Sequence, residues 1–202
     1  MATTTLPLTK ETFKTGDSWE SYLEKMGDYR EISRRLHEGA AVPAELREQF
    51  AELVEEHGGE LSISAMTEEW CGDSAVTLPF VARLAEAVPG IELRMLFGKN
   101  QPELKAAYEE DGFESIPMLS FFDADWNEVG RWMERPKPAN AKVGAWVAAR
   151  PRIGELYGKE DPESQSELKA IFAGLVSEME GWYRDEFWKD TLSEIRGVLS
   201  AG

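Results

Sequence analysis

Cysteine is all but missing from this sequence: Cys71 is the only one in 202 residues. An intramolecular disulfide and a multi-cysteine zinc site are therefore excluded. Histidine is nearly as scarce. Neither His37 nor His57 falls in a recognisable ligand spacing, so no metal is expected. Bases are outnumbered, 22 against 38 acids, for a formal charge of −16. Such a surface repels nucleic acid and anionic lipid, and neither is expected as a partner. No apolar run approaches the ~18 residues of a membrane helix, and Met1 to Lys10 lack the apolar stretch of a signal peptide. No glycine-rich phosphate cradle surrounds Lys99 to Pro102, and no cofactor is expected. These absences describe a soluble, cytoplasmic protein.

What is present divides into three regions, expected at 1–59, 60–158 and 159–202. The first is helical. Asp17 or Ser18 can cap a helix through Trp19, Tyr22, Leu23 and Met26, a second runs from Asp28 to Gly39, and Pro43 opens a third ending at Gly58. In the middle region Leu61, Ile63 and Ala65 alternate with Ser62, Ser64 and Met66 as in a strand. A helix from Ser74 to Val88, a strand from Ile91 to Phe97 and a helix from Pro102 to Glu110 follow. Then come a strand at Met118–Phe122, a turn at Asp123–Asn127, a strand at Val129–Met133 and a helix after Pro138. The order β-α-β-α-β-β-α describes a compact α/β unit. The third region reads as one long helix from Asp161 to Leu199, bent at Gly174 or Gly181. Its apolar stripe from Leu168 to Tyr183 is expected to pack on the rest of the chain, and the oligomeric state is open.

Chemistry concentrates in Trp70-Cys71-Gly72-Asp73-Ser74, between a strand and a helix. A cysteine at a helix start meets free backbone N–H groups and the positive end of the dipole, which favour thiolate. Asp73, Glu68 and Glu69 oppose that. Contact donors outweigh screened carboxylates at an exposed site, so an exposed Cys71 with a modestly lowered pKa is expected.

Trp70 to Ser74 resembles the W-C-G-x-C motif of the thioredoxin superfamily, with serine in place of the second cysteine. Pro79, eight residues after Cys71, matches the kink proline of the active-site helix, and Ile116-Pro117 matches the family's cis-proline. With Gly130-Arg131-Trp132 and Trp182-Tyr183, the pattern is similar to a bacterial branch carrying W-C-G-D-C and helical extensions. The resemblance implies a thioredoxin-like fold, a central mixed sheet flanked by helices, with additional N-terminal and C-terminal helices. It also implies a site in which Cys71 is the nucleophile and Ser74 donates a hydrogen bond to it. Trp70, Gly72, Asp73, Ile116 and Pro117 would bind the substrate, a protein or a low-molecular-weight disulfide or thiol.

Two departures matter. Ala65, six residues before Cys71, stands where many thioredoxins carry a buried carboxylate; that role is vacant or falls to Glu68, Glu69 or Asp73. Ser74 cannot resolve a mixed disulfide. It is either native, implying a monothiol cycle with an external thiol, or a replacement of cysteine. The expected function is a redox-active thiol protein, a thiol–disulfide oxidoreductase or monothiol enzyme. The alternative is a non-catalytic interaction scaffold whose working surface includes Trp182, Phe187 and Trp188. A peroxidase-type cysteine finds no clear activating arginine, Arg83 being too far along the helix. A Cys71–His57 pair is disfavoured because His57, like His37, sits at a helix end where it complements the dipole.

Overall fold

The computed structural model describes residues 4–201; residues 1–3 and 202, the outermost positions of the expected terminal regions, lie outside them. A sheet of order β2-β1-β3-β4 organises the chain. Strand β1 (Leu61–Thr67) pairs in parallel with β2 (Ile91–Phe97) and antiparallel with β3 (Met118–Phe122), which pairs antiparallel with β4 (Glu128–Met133). The turn into β4 is tied by the Asn127 N–H, which donates to Asp123 Oδ1 at 2.8 Å.

The alternation in β1 separates two covered faces rather than core from solvent, because all seven of its residues are buried. Leu61, Ile63 and Ala65 enter the larger core with Tyr22, Phe50, Leu78 and Ile195. Met66 enters a second one with Leu104, Tyr108, Met118 and Phe122. A strand in the middle of a sheet with helices on both sides has no wet face. The helix after β1, α5 (Gly72–Ala87), runs through the middle with Pro79 inside it and is buried continuously from Ser74 to Ala82.

Short helices precede the sheet: α1 (Lys10–Lys14), α2 (Trp19–Lys25), α3 (Arg30–Gly39) and α4 (Ala44–Glu56). Ser18 caps α2 by accepting the Ser21 N–H at 3.3 Å. Ser33 of α3 donates to the Ala75 carbonyl of α5 at 2.8 Å, so the extension is pinned to that central helix. Asp17 forms an antiparallel bridge with Met95 on the β2 edge, a pairing with no local sequence signal. Helix α6 (Pro102–Glu110) lies between β2 and β3, and α7 (Lys137–Ala148) and a short α8 (Pro151–Leu156) follow β4.

The expected long C-terminal helix is helical without interruption from Pro162 to Leu199, and its irregularity is a π turn rather than a bend at a glycine. Helix α9 (Pro162–Trp182) passes through Gly174 and Gly181 without a break, and a π-helical turn at Tyr183–Phe187 joins it to α10 (Trp188–Leu199). The extra residue in a π turn changes the phase of the apolar stripe, so that Leu175 and Met179 as well as Leu192, Ile195 and Leu199 face inward. Helix α10 lies against β4. Glu194 accepts the Trp132 indole N–H at 2.9 Å and the Lys137 N–H at 2.8 Å, and His57 Nε2 lies 3.1 Å from the Leu199 carbonyl. Phe187 is buried and Trp182 and Trp188 are partly so, packed in the same cluster. They do not form the exposed surface expected of a scaffold. Among the described residues no helix is long and apolar enough to cross a membrane.

Candidate functional site

The chain leaves β1 at Thr67, turns through Glu68 to Trp70, and enters α5 with Cys71 as the N-cap. Cys71 keeps extended backbone angles, as an N-cap does, and its N–H donates to the Glu68 carbonyl at 3.2 Å. Its Sγ accepts the Ser74 N–H at 3.4 Å, filling the place a capping oxygen takes in other helices. On the other side Sγ lies 3.5 Å from the Ile116 carbonyl, and the Ile116–Pro117 bond is cis. Residues 45 positions apart thus meet at one sulfur.

Cys71 is not exposed, contrary to expectation; only 5% of its surface is accessible. Helix α9 closes on the first turn of α5, where Val176 packs directly on Gly72 and the Tyr29 ring lies beside it. Trp70, by contrast, is 65% exposed. Burial also reverses the expected pKa: desolvation pushes the Cys71 thiol up to about 11, with the Asp73 charge adding to it. The Ser74 hydroxyl and the N–H groups of Asp73 and Ser74 pull the other way and lose. Screening by water, on which a lowered pKa depends, is absent at a sulfur only 5% accessible.

Of the three candidate carboxylates, two are engaged at Lys99. Its backbone N–H donates to Glu68 at 2.7 Å and its ammonium pairs with Glu69, whose pKa that bond lowers. Asp73 is half-buried, with 22% of its side chain accessible. It pairs with Arg135 at 3.0 Å, yet desolvation and the nearby Glu134 hold its carboxyl up at about 6. Arg135 therefore stands at the motif, while Arg83 is turned to Glu86 and the Ala40 carbonyl. A cavity of about 910 Å³ opens beside the motif, walled by Trp70, Gly72, Asp73, Arg135, Phe172 and Val176. No metal-binding cluster of His, Cys, Asp and Glu exists among the described residues.

A family model described as thioredoxin matches residues 16–148. The chain belongs to the thioredoxin family. No curated protein matches it. A crystal structure of a protein of unknown function from Pseudomonas aeruginosa is similar, with a TM-score of 0.60 and 15% identity over 96% of this chain and 98% of that one. An HIV epitope-scaffold is similar to the same degree, with a TM-score of 0.58 and 15% identity over 95% and 97% of the two chains. At that identity both likenesses concern the thioredoxin-like fold alone, and they extend to the terminal helices.

Two further residues of this thioredoxin-family site escaped the sequence reading. Thr67 and Tyr22 are wholly buried next to Ser74, with Thr67 Oγ1 donating to Ser74 Oγ at 2.6 Å and Tyr22 Oη 3.3 Å from Thr67 Oγ1. Thr67, at the end of a strand four positions before the cysteine, offered a weak signal. Tyr22 offered none, since only the fold brings α2 to β1.

Proposed function

We propose that this chain is a monothiol member of its family, exchanging disulfides through Cys71 with an external thiol in place of the missing resolving cysteine. The observation that carries the reading is the placement of Sγ between the Ser74 N–H and the carbonyl of Ile116, which precedes the cis-proline. In the first step the deprotonated sulfur attacks a disulfide R–S–S–R′. A Cys71–S–S–R bond forms, and R′–S⁻ leaves and takes a proton from solvent. A second thiol, R″–SH, then attacks the R sulfur as its thiolate. Cys71 is released and R–S–S–R″ forms, so one disulfide is consumed and one made. The partner is a protein or low-molecular-weight thiol or disulfide, and a reducing compartment such as the cytoplasm supplies R″–SH.

With its pKa at about 11, the thiol holds only about one part in 10⁴ as thiolate at pH 7. The closed arrangement is on this reading a resting form, and attack follows exposure of the sulfur. The same burial favours a second reading, a thioredoxin-fold scaffold with a silent cysteine. Incubating the folded chain with oxidised glutathione and following its mass separates the two. The exchange reading expects an adduct on Cys71 that added reduced glutathione removes and that Cys71→Ser abolishes. If only the denatured chain forms the adduct, the scaffold reading stands.

A further inference from the structure

Three hydroxyls line up behind the sulfur. Tyr22 comes from α2, Thr67 from the end of β1 and Ser74 from the first turn of α5, and each is fully buried. Thr67 Oγ1 has two acceptors in reach, Ser74 Oγ at 2.6 Å and the Glu68 carbonyl at 3.4 Å, and the shorter contact takes its one proton. Its oxygen is then left to accept from Tyr22 Oη at 3.3 Å, closer than the 3.5 Å from that phenol to the Glu68 carbonyl. Ser74 Oγ, already accepting from Thr67, retains its own proton to give. Cys71 Sγ, which the Ser74 backbone N–H reaches at 3.4 Å, lies in the same turn.

We propose that Tyr22, Thr67 and Ser74 form a directed hydroxyl chain whose last proton is aimed at Cys71 Sγ, making Thr67 and Tyr22 positioning residues for the sulfur. The chain gives the N-terminal extension a part in the chemistry. A hydroxyl that accepts one hydrogen bond becomes a better donor of the next, and low surrounding polarity strengthens the effect. The Ser74 hydroxyl does oppose the upward push of burial on the thiol. Unsupported, Ser74 could rotate its proton to a backbone carbonyl of the preceding turn, as serine does in helices. Thr67 removes that freedom. The ionisable groups coupled to the sulfur are Asp73 on α5, Tyr22 itself and Tyr29 between α2 and α3; Glu69 acts on Tyr22, and Arg135 and Glu134 act through Asp73. The inference rests on Cys71 being the reacting atom.

Because Cys71 is the only cysteine, a chain labelled with ¹³C at cysteine Cβ gives one resonance, whose movement with pH reports thiol ionisation. Ser74→Ala is expected to delay ionisation by about one pH unit, a tenfold loss of thiolate. Thr67→Val is expected to delay it about threefold in thiolate when Ser74 is present and not at all in the Ser74→Ala background. Thr67→Ser should restore the parent curve, and Tyr22→Phe should shift it slightly the same way as Thr67→Val. An unchanged curve in both Thr67→Val and Tyr22→Phe overturns the chain. So does a Thr67→Val shift that persists without the Ser74 hydroxyl, since that shift would come from packing. If the coupling is found but no glutathione adduct forms, the chain stands and the exchange reading fails. If adducts form without coupling, only the chain fails.

Discussion

Val176 on α9 rests on Gly72, the third residue of the motif: a Cβ at position 72 would lie 2.4 Å from Val176 Cγ2. The contact joins the C-terminal extension to the first turn of α5, next to the buried Cys71. Glycine is required here by a side chain from another helix rather than by its own backbone angles, since Gly72 is not among the residues with positive φ.

Gly72→Ala is therefore expected to destabilise the chain by about 1–3 kcal/mol, the usual penalty of overpacking. Val176→Ala should recover most of that loss in the double variant, because the two sites share one contact. Urea denaturation of the four chains measures the coupling. Additive effects would mean that α9 does not rest on the motif in solution.

Burial of Asp73 makes a pH prediction with a definite sign. Its pKa is raised in the folded chain to about 6, so between the ordinary carboxylate range and pH 6 the folded state holds more protons than the unfolded one. Stability then falls as pH rises through that window and stays lower above it, by ~3 kcal/mol at most. Asp73→Asn should flatten this part of the profile in denaturant melts from pH 4 to 7. It should also let Cys71 ionise at lower pH by removing an adjacent negative charge. A parent profile that rises from pH 4 to 6 would contradict the burial of this carboxylate.

Ser74→Cys supplies the absent resolving thiol within the same helical turn. Mild oxidation should form an intramolecular disulfide, seen as a loss of about 2 Da with both thiols blocked to alkylation. The oxidised variant should no longer take up glutathione, and the reduced one should reduce a protein disulfide with turnover that the parent lacks. Failure to close the disulfide would show that the Thr67-lined slot around Ser74 rejects sulfur.

Ile195 and Leu192 on α10 are buried in the main core beside Trp132 and Phe50. Ile195→Ala is expected to cost about 2–5 kcal/mol, as for other fully buried aliphatics, in a single cooperative transition monitored by far-UV circular dichroism. Loss of α10 alone at low denaturant, with the sheet intact, would mean that this helix is a separate unit.

The elements of the middle region were legible in the sequence because each carries its own period and stop: the β1 alternation, Gly90 and Gly112 at positive φ after helices, and Pro102 at a helix start. So was the cysteine at the head of a helix, since the N-cap position depends on neighbours in sequence. The irregularity of the long C-terminal helix lies at a π turn and not at Gly174 or Gly181. What shifts the phase there is the burial of Tyr183 and Phe187, with Tyr183 Oη 3.2 Å from Thr77 Oγ1 on α5.

The state of the sulfur belonged to the tertiary structure. Sequence alone determined that there is one thiol, that it caps a helix, and that no second thiol follows it. Whether that thiol is wet was decided by distant segments packed at the motif: Ile116 at the sulfur, 45 residues on, and Val176 and Tyr29 at the neighbouring Gly72. A pKa responds to the dielectric and charges within a few ångströms. Local order fixes the N–H donors within that radius, whereas only the packing of distant helices decides how much water shares it.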